Sequence, residues 1–161
     1  MISRSFIVTI VGLFLIVTYW SLFFVSLKDV RWLDKLPECP CLSPDIDLKK
    51  DGWAHEKTDL SRFHKGASIA FRSYPPVKTN VGNSGQQCCY DENGYLLTTN
   101  EAAGTPDRSG VCVGEDESGA MIVDYLGVIK HFVNDVIPFF VLDIETYHKF
   151  WVPNKGRDCK N

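Results

Sequence analysis

The chain has no Gly-x-Ser-x-Gly elbow, no Cys-x-x-Cys pair and no two histidines four apart around a glutamate. These absences remove the signatures of a serine hydrolase, a thiol redox site and a zinc metalloprotease helix. The four histidines, His55, His64, His131 and His148, are widely spread. Net charge is only -3 and the lysines and arginines form no stripe, so the electrostatic footprint of a nucleic-acid binder is missing. No Asn-x-Ser/Thr sequon occurs, so glycosylation signals lend no support to an exposed location. There is no internal repeat and no low-complexity tract. With 45% apolar and 23% charged residues the chain is still able to build a core, and 161 residues fit one domain plus a tail.

One long run lacks charge altogether. Phe6 to Leu27 reads FIVTIVGLFLIVTYWSLFFVSL, and as a helix it extends roughly 33 Å, enough for a hydrocarbon core of about 30 Å. A cleaved signal peptide has a shorter apolar region and ends at small residues, whereas the exit here is Phe24-Val25-Ser26-Leu27-Lys28. The run therefore predicts an uncleaved, single-pass signal-anchor. Tyr19 and Trp20 lie inside it and form no interfacial belt. Arg4 precedes it while Lys28, Arg31 and Lys35 follow, which by the positive-inside rule keeps the large C-terminal part in the cytoplasm. The cysteines oppose that orientation. All six fall after the run, an even number in one compact domain, as expected in an oxidising compartment. Asp29 and Asp34 dilute the basic flank, so the cysteines decide.

The predicted division is a short tail at 1–5, a transmembrane helix at 6–27, a juxtamembrane stalk at 28–37 and an extracytoplasmic domain at 38–161. The stalk continues the helix until Pro37 stops it. Gly82 to Gly85 reads as a turn or open loop. Gln87–Tyr90 and Tyr95–Thr99 are β-prone runs joined by Asn93-Gly94, which predicts a hairpin. Ile122, Val123, Leu126, Ile129, Phe132 and Val133 recur at helical spacing after Ser118, a candidate N-cap, and predict an amphipathic helix over about 119–135 that Pro138 ends. A second helix is expected over 139–151. The fold class is α+β: a small disulfide-rich domain of short strands, a hairpin and short helices, preceded by one N-terminal transmembrane helix.

The run GQQCCYDENGYLLTTNEAAGTPDR resembles the signature of the AMOP domain, an extracellular module of adhesion-associated proteins. Further blocks extend the likeness: Cys39-Pro40-Cys41, Phe63-His64-Lys65-Gly66-Ala67 with Phe71-Arg72-Ser73, the run from His131 to Phe139, and the closing Gly156-Arg157-Asp158-Cys159. Five blocks in order cover roughly 120 residues. Two customary cysteine places hold Ala70 and the stretch Phe140-Val141-Leu142 instead, so the family's pairing does not transfer. The resemblance implies an extracellular adhesion domain, and here it stands as a lone domain on an anchor.

Cys39, Cys41, Cys88, Cys89, Cys112 and Cys159 are expected to form disulfides, with fifteen pairings open. A zinc site on Cys39, Cys41, Cys88 and Cys89 lacks the usual two-to-four-residue spacing. Asp91-x-Asn93 opens like a calcium loop, but Leu96 and Ala102 occupy its glycine and glutamate positions, and Glu115-Asp116-Glu117 reads as a solvated loop. His64 and His131 lie in the family-like blocks and are expected to hydrogen-bond within the fold. No metal, cofactor, catalytic residue, nucleic acid or small-molecule substrate is expected. The expected partners are the lipid bilayer and other membrane or extracellular proteins, with Arg72, Tyr74 and Arg108 as candidate contacts, Arg72 and Arg108 equally able to brace the fold. The expected function is non-enzymatic adhesion or protein interaction on the cell surface. The alternative is a structural accessory subunit of a larger membrane complex, the space between mitochondrial membranes being another suitable compartment.

Overall fold

The computed structural model describes residues 4–27, 29–156 and 159, and divides into two compact units, 1–31 and 32–161. The first unit holds helix α1 (Arg4–Leu27). Its side chains are described at 6–18, 20 and 21, and among the described residues no helix is long and apolar enough to cross a membrane. The described part therefore does not show the spanning helix expected over 6–27. The expected tail at 1–5 and the domain's last residues lie largely outside the described residues.

The second unit begins earlier than the sequence division. Trp32 is fully buried and Leu36 nearly so, and a single 3-10 turn at Leu33–Lys35 stands where a continuing helix is expected. An exposed stalk has no use for a buried tryptophan; this segment is the domain's first layer.

A short helix α2 (Leu48–Asp51), capped by the Asp47 side chain on Lys50 N–H, leads through Gly52 into strand β1 (Trp53–His55). Gly52 has a left-handed φ of 68°, and a Cβ there would lie 2.6 Å from the Tyr74 carbonyl oxygen. Strands β2 (Ile69–Ser73), β3 (Val77–Thr79), β4 (Gly82–Tyr90) and β5 (Pro106–Asp107) complete an antiparallel sheet. Strand β4 organises it. Gln87 to Tyr90 pair with β2, Gly82 to Ser84 with β3, and Gly85 and Gln86 with β5. The expected loop at 82–85 is thus strand, because Asn80 and Val81 make the turn and Val77–Thr79 supply the backbone partner.

The pleat separates two faces. Trp53, Phe71, Cys88 and Tyr90 point to one and pack with Cys39 as the apolar core. Ala54, Arg72, Gln87 and Cys89 point to the other, as the pairings Ala54–Arg72, Arg72–Gln87 and Ala70–Cys89 require. Beyond Tyr90 the expected turn forms. Asp91 Oδ1 accepts from Asn93 N–H (2.9 Å) and Tyr95 N–H (2.8 Å), but the second strand shrinks to isolated bridges at Tyr95 and Leu96. Leu96 N–H turns instead to the Cys41 carbonyl.

A separate hairpin follows, β6 (Cys112–Glu115) with β7 (Met121–Val123). Its turn is the acidic run: Asp116 Oδ1 accepts from Ser118 N–H, Ser118 Oγ and Ala120 N–H. Ser118 therefore belongs to a β-turn and caps no helix. The cap is Asp124, whose carboxylate accepts Gly127 N–H at 2.8 Å and starts α3 (Tyr125–His131). A π-helical turn, Phe132–Val136, joins it to α4 (Ile137–Val141), and Asp143 caps α5 (Ile144–Phe150). Pro138 does not end the helix as expected. The wide turn, with Ile137 N–H on the Phe132 carbonyl, restarts the ladder so that Pro138 falls at the first positions of α4, where no N–H is needed.

Candidate functional site

The polar face of the sheet carries a buried charge cluster. Arg72, next to last in β2, is 8% exposed, and its Nε donates to Glu56 while Nη1 donates to Asp107. Glu56 follows β1, with its backbone N–H on the Ala70 carbonyl, and Asp107 ends β5. The helical layer closes over them and brings His131 and Asp135. These two residues stand i, i+4 across the junction of α3 and the π turn, with His131 Nδ1 3.1 Å from Asp135 Oδ2 and 3.6 Å from Asp107 Oδ1. Facing two carboxylate oxygens, Nδ1 carries the proton.

Asp135 also fastens the layer to the chain below it. Its Oδ1 accepts Arg108 N–H (2.8 Å) and Trp151 Nε1–H (2.7 Å), and its Oδ2 accepts Ser109 N–H (3.1 Å). Trp151, fully buried, stacks on Tyr147 at 4.5 Å between centroids.

Charge balance sets the titration. Burial pushes the Glu56 carboxyl up, but Arg72 and the Thr58 N–H outweigh it and hold it below the usual range. Burial opposes the charge of Arg72 and of His131, yet their carboxylate partners raise both. Burial pushes the Asp107 carboxyl up, and the pull of Arg72 and His131 does not reverse it. His64 has the opposite fate. Burial, then the neighbouring Arg72, pushes it down to about 4, and its Nδ1–H donates to the Ala103 carbonyl at 2.9 Å.

Asp107, His131 and Asp135 bring ligand-type atoms within 4.8 Å of one another. Asp135, however, already uses its four lone-pair directions on Arg108, Trp151, Ser109 and His131, so a metal ion would have to displace a hydrogen bond. The cluster works as an internal brace. Removing one partner of such a set leaves a buried charge unmatched and costs about 3–5 kcal/mol.

The cysteines divide as the sequence alone did not foresee. Cys39 bonds Cys88 and Cys41 bonds Cys159, while Cys89 and Cys112 are buried free thiols. The expectation of six bridged cysteines is corrected to four. Cys88 and Cys89 are neighbours on one strand, so they point to opposite faces; only Cys88 meets Cys39 in the apolar core. Burial pushes the Cys89 thiol up to about 12 and also raises Cys112, which keeps both protonated and unreactive.

The candidate contacts are likewise re-sorted. Arg72 and Arg108 (5% exposed) are interior, Arg108 with its guanidinium 5.7 Å from the Trp32 ring, so both brace the fold. Tyr74 is half-buried beside exposed Pro75. The exposed surface lies elsewhere. Ile122, Val123, Leu126, Ile129 and Phe132, the apolar residues of the expected amphipathic helix, stand in solvent, Leu126 at 65% and Phe132 at 55%, together with Tyr125, Phe140 and Val141. Helix α3 is held down on its other side, where Gly127 is buried and lies close to Gly110, and where His131 and Asp135 make their ion pair.

Next to this surface opens a cavity of about 490 Å³, bounded by the segment 56–64, the β6–β7 hairpin and the helical layer, with Arg72, His131 and Asp135 in its floor.

Comparison with known proteins adds two findings. The profile of the AMOP domain matches residues 26–160. Sushi domain-containing protein 2 from Homo sapiens is 29% identical over 150 residues, an alignment covering 81% of this chain and 16% of that protein. The chain thus spans about a sixth of its relative's length. No solved structure matches.

Proposed function

Because the chain belongs to the AMOP domain family, we propose that it is a non-enzymatic interaction module, tethered to a membrane by the 6–27 run, whose domain binds partner proteins outside the cytoplasm. Two disulfides and the family fit an extracellular or otherwise oxidising location. The tether is supported by the uncharged run from Phe6 to Leu27. The observation that carries the binding reading is the run of large apolar side chains left in solvent along the helical layer, Tyr125, Leu126 and Ile129 on α3, Phe132 in the π turn and Phe140 on α4, with exposed Lys130 among them in sequence. Aromatic and aliphatic side chains gathered on a rigid element are what interface cores are made of. The partner is a protein with a complementary apolar patch, and Tyr74 with Pro75 is a secondary contact.

The test is a gentle detergent pull-down of the full-length protein from its native membranes, wild type against Leu126→Asp/Ile129→Asp. Both sites are exposed, so folding is preserved while partner recovery drops at least tenfold; unchanged recovery removes this face from the reading. A partner set in fixed ratio would favour the accessory-subunit alternative. Alkaline carbonate extraction tests the tether separately, since release of the protein into the supernatant refutes membrane insertion.

A further inference from the structure

The two disulfides occupy different surroundings. Cys39 is 2% exposed and Cys88 is fully buried, both within the apolar core, and Cys39 Sγ lies 3.9 Å from the Gln87 carbonyl oxygen inside the sheet. Cys41 and Cys159 are half-buried instead. An open cleft of about 500 Å³, lined in part by Glu38, Pro40 and Cys41, borders this outer bridge. Thiol–disulfide exchange requires a thiolate to reach a sulfur, so access decides which bridge yields first.

The outer bridge fastens the end of the domain to its beginning, across 118 residues of sequence. Asn154 is the hydrogen-bonded part of that seam: its Oδ1 accepts Cys39 N–H at 3.1 Å and Gly156 N–H at 2.8 Å, and its Nδ2–H reaches the Pro37 carbonyl at 3.4 Å. Gly156 is the close-packed part. A Cβ there would lie 2.8 Å from the Cys39 carbonyl oxygen and 3.1 Å from Leu96 Cδ2, so the segment lies directly on Cys39 and on Leu96, a residue packed against the core. The outer bridge thus pins down a cover over the inner one. The sheet, the Arg72 cluster and the helical layer hold together through contacts that do not involve this segment.

We infer that Cys41–Cys159 is a redox latch: an external dithiol opens it while Cys39–Cys88 stays closed, and the segment 152–159 then comes away from Cys39 and Leu96. One thiolate of the dithiol attacks a sulfur of the outer bridge, forming a mixed disulfide and expelling the other cysteine as a thiolate, which takes a proton from water. The second thiol of the reductant then cleaves the mixed disulfide. The dithiol leaves as its own disulfide, and two electrons and two protons have passed to Cys41 and Cys159. The latch acts independently of the protein-binding face.

The experiment exposes the full chain in lipid nanodiscs to dithiothreitol for increasing times, blocks free thiols with N-ethylmaleimide and follows both bridges by non-reducing peptide mapping. Cys41 and Cys159 are expected to be labelled at least about tenfold faster than Cys39 and Cys88, while the buried thiols of Cys89 and Cys112 stay unlabelled. In the form with only the outer bridge open, hydrogen exchange at the Cys39 amide rises at least about tenfold and exchange within β2 and β4 is unchanged. Equal rates for the two bridges, or an inner bridge that opens first, overturn the latch. Labelling of Cys89 or Cys112 as soon as the outer bridge opens means that the domain unfolds rather than switches, and overturns it too. Unchanged exchange at Cys39 overturns the release of the segment.

Discussion

Acidification should weaken this domain through one residue, His64. Its ring is buried, its Nδ1–H is committed to the Ala103 carbonyl, and Arg72 stands close enough to oppose a second positive charge. The folded-state pKa is therefore depressed to about 4, while an unfolded chain titrates near 6.5. Below that value the unfolded state takes up a proton that the native state refuses. The stability associated with a neutral His64 is present above pH 6.5 and is lost as pH falls towards 4. At pH 5 the loss is about 2 kcal/mol, and below pH 4 it approaches about 3 kcal/mol, a large share of the roughly 5–15 kcal/mol typical of a domain. His131 works in the other direction. Its pKa is raised, so its contribution is complete below about 6.5 and is lost as pH rises through the folded value. Asp107, also raised, gains stability on acidification. The wild-type profile is thus a composite, and comparison with His64→Gln isolates one residue. Urea unfolding of both proteins, followed by tryptophan fluorescence at pH 7.5, 6 and 5, should show the wild type's advantage shrinking by about 2 kcal/mol between the extremes. An advantage that is constant within about 0.5 kcal/mol, or that grows on acidification, refutes the buried neutral histidine.

Three other outcomes follow from the same geometry. Arg72→Met leaves Glu56 and Asp107 buried without their partner and should cost about 3–5 kcal/mol, lowering Tm by more than about 10 °C in a calorimetric scan. Non-reducing peptide mapping should find the Cys39–Cys88 and Cys41–Cys159 bridges, with Cys89 and Cys112 labelled by iodoacetamide only after denaturation, because burial holds both thiols protonated. Gly104→Ala would set a Cβ 2.4 Å from the Gln87 carbonyl oxygen, and Gln87 N–H in turn bonds the Thr105 carbonyl. That strand contact has to move, and we expect a loss of at least about 2 kcal/mol by chemical denaturation.

Much of the site was hidden in plain sight. His64 and His131 were expected to bond internally, and they do so, to Ala103 and Asp135. Arg72 stood out as well, with contact and brace both open, because its charge is visible in the sequence and its burial is not. Glu56 went unnoticed, and Asp107 and Asp135 entered only as members of the family-like blocks, since a lone acidic residue in a loop, a two-residue strand or a helix has no local mark of being interior. The i, i+4 spacing of His131 and Asp135 was the available signal. The turn at Asp91 to Gly94 was legible because one side chain and its own backbone complete it.

The sequence by itself determined the elements whose causes are local or compositional: the uncharged run at 6–27, the family blocks, the α+β mixture and the Asp91 turn. It marked the apolar residues from Ile122 to Phe132 and left their direction open, because a periodic stripe has the same spacing whether it faces a core or a partner. The tertiary structure decided that they face solvent, where Gly127, His131 and Asp135 hold α3 by its polar side. It also chose one pairing for four of the six cysteines, because a disulfide needs two Cβ atoms brought together. The register of β4 beside β2 puts Cys88 on the Cys39 face and turns Cys89 away.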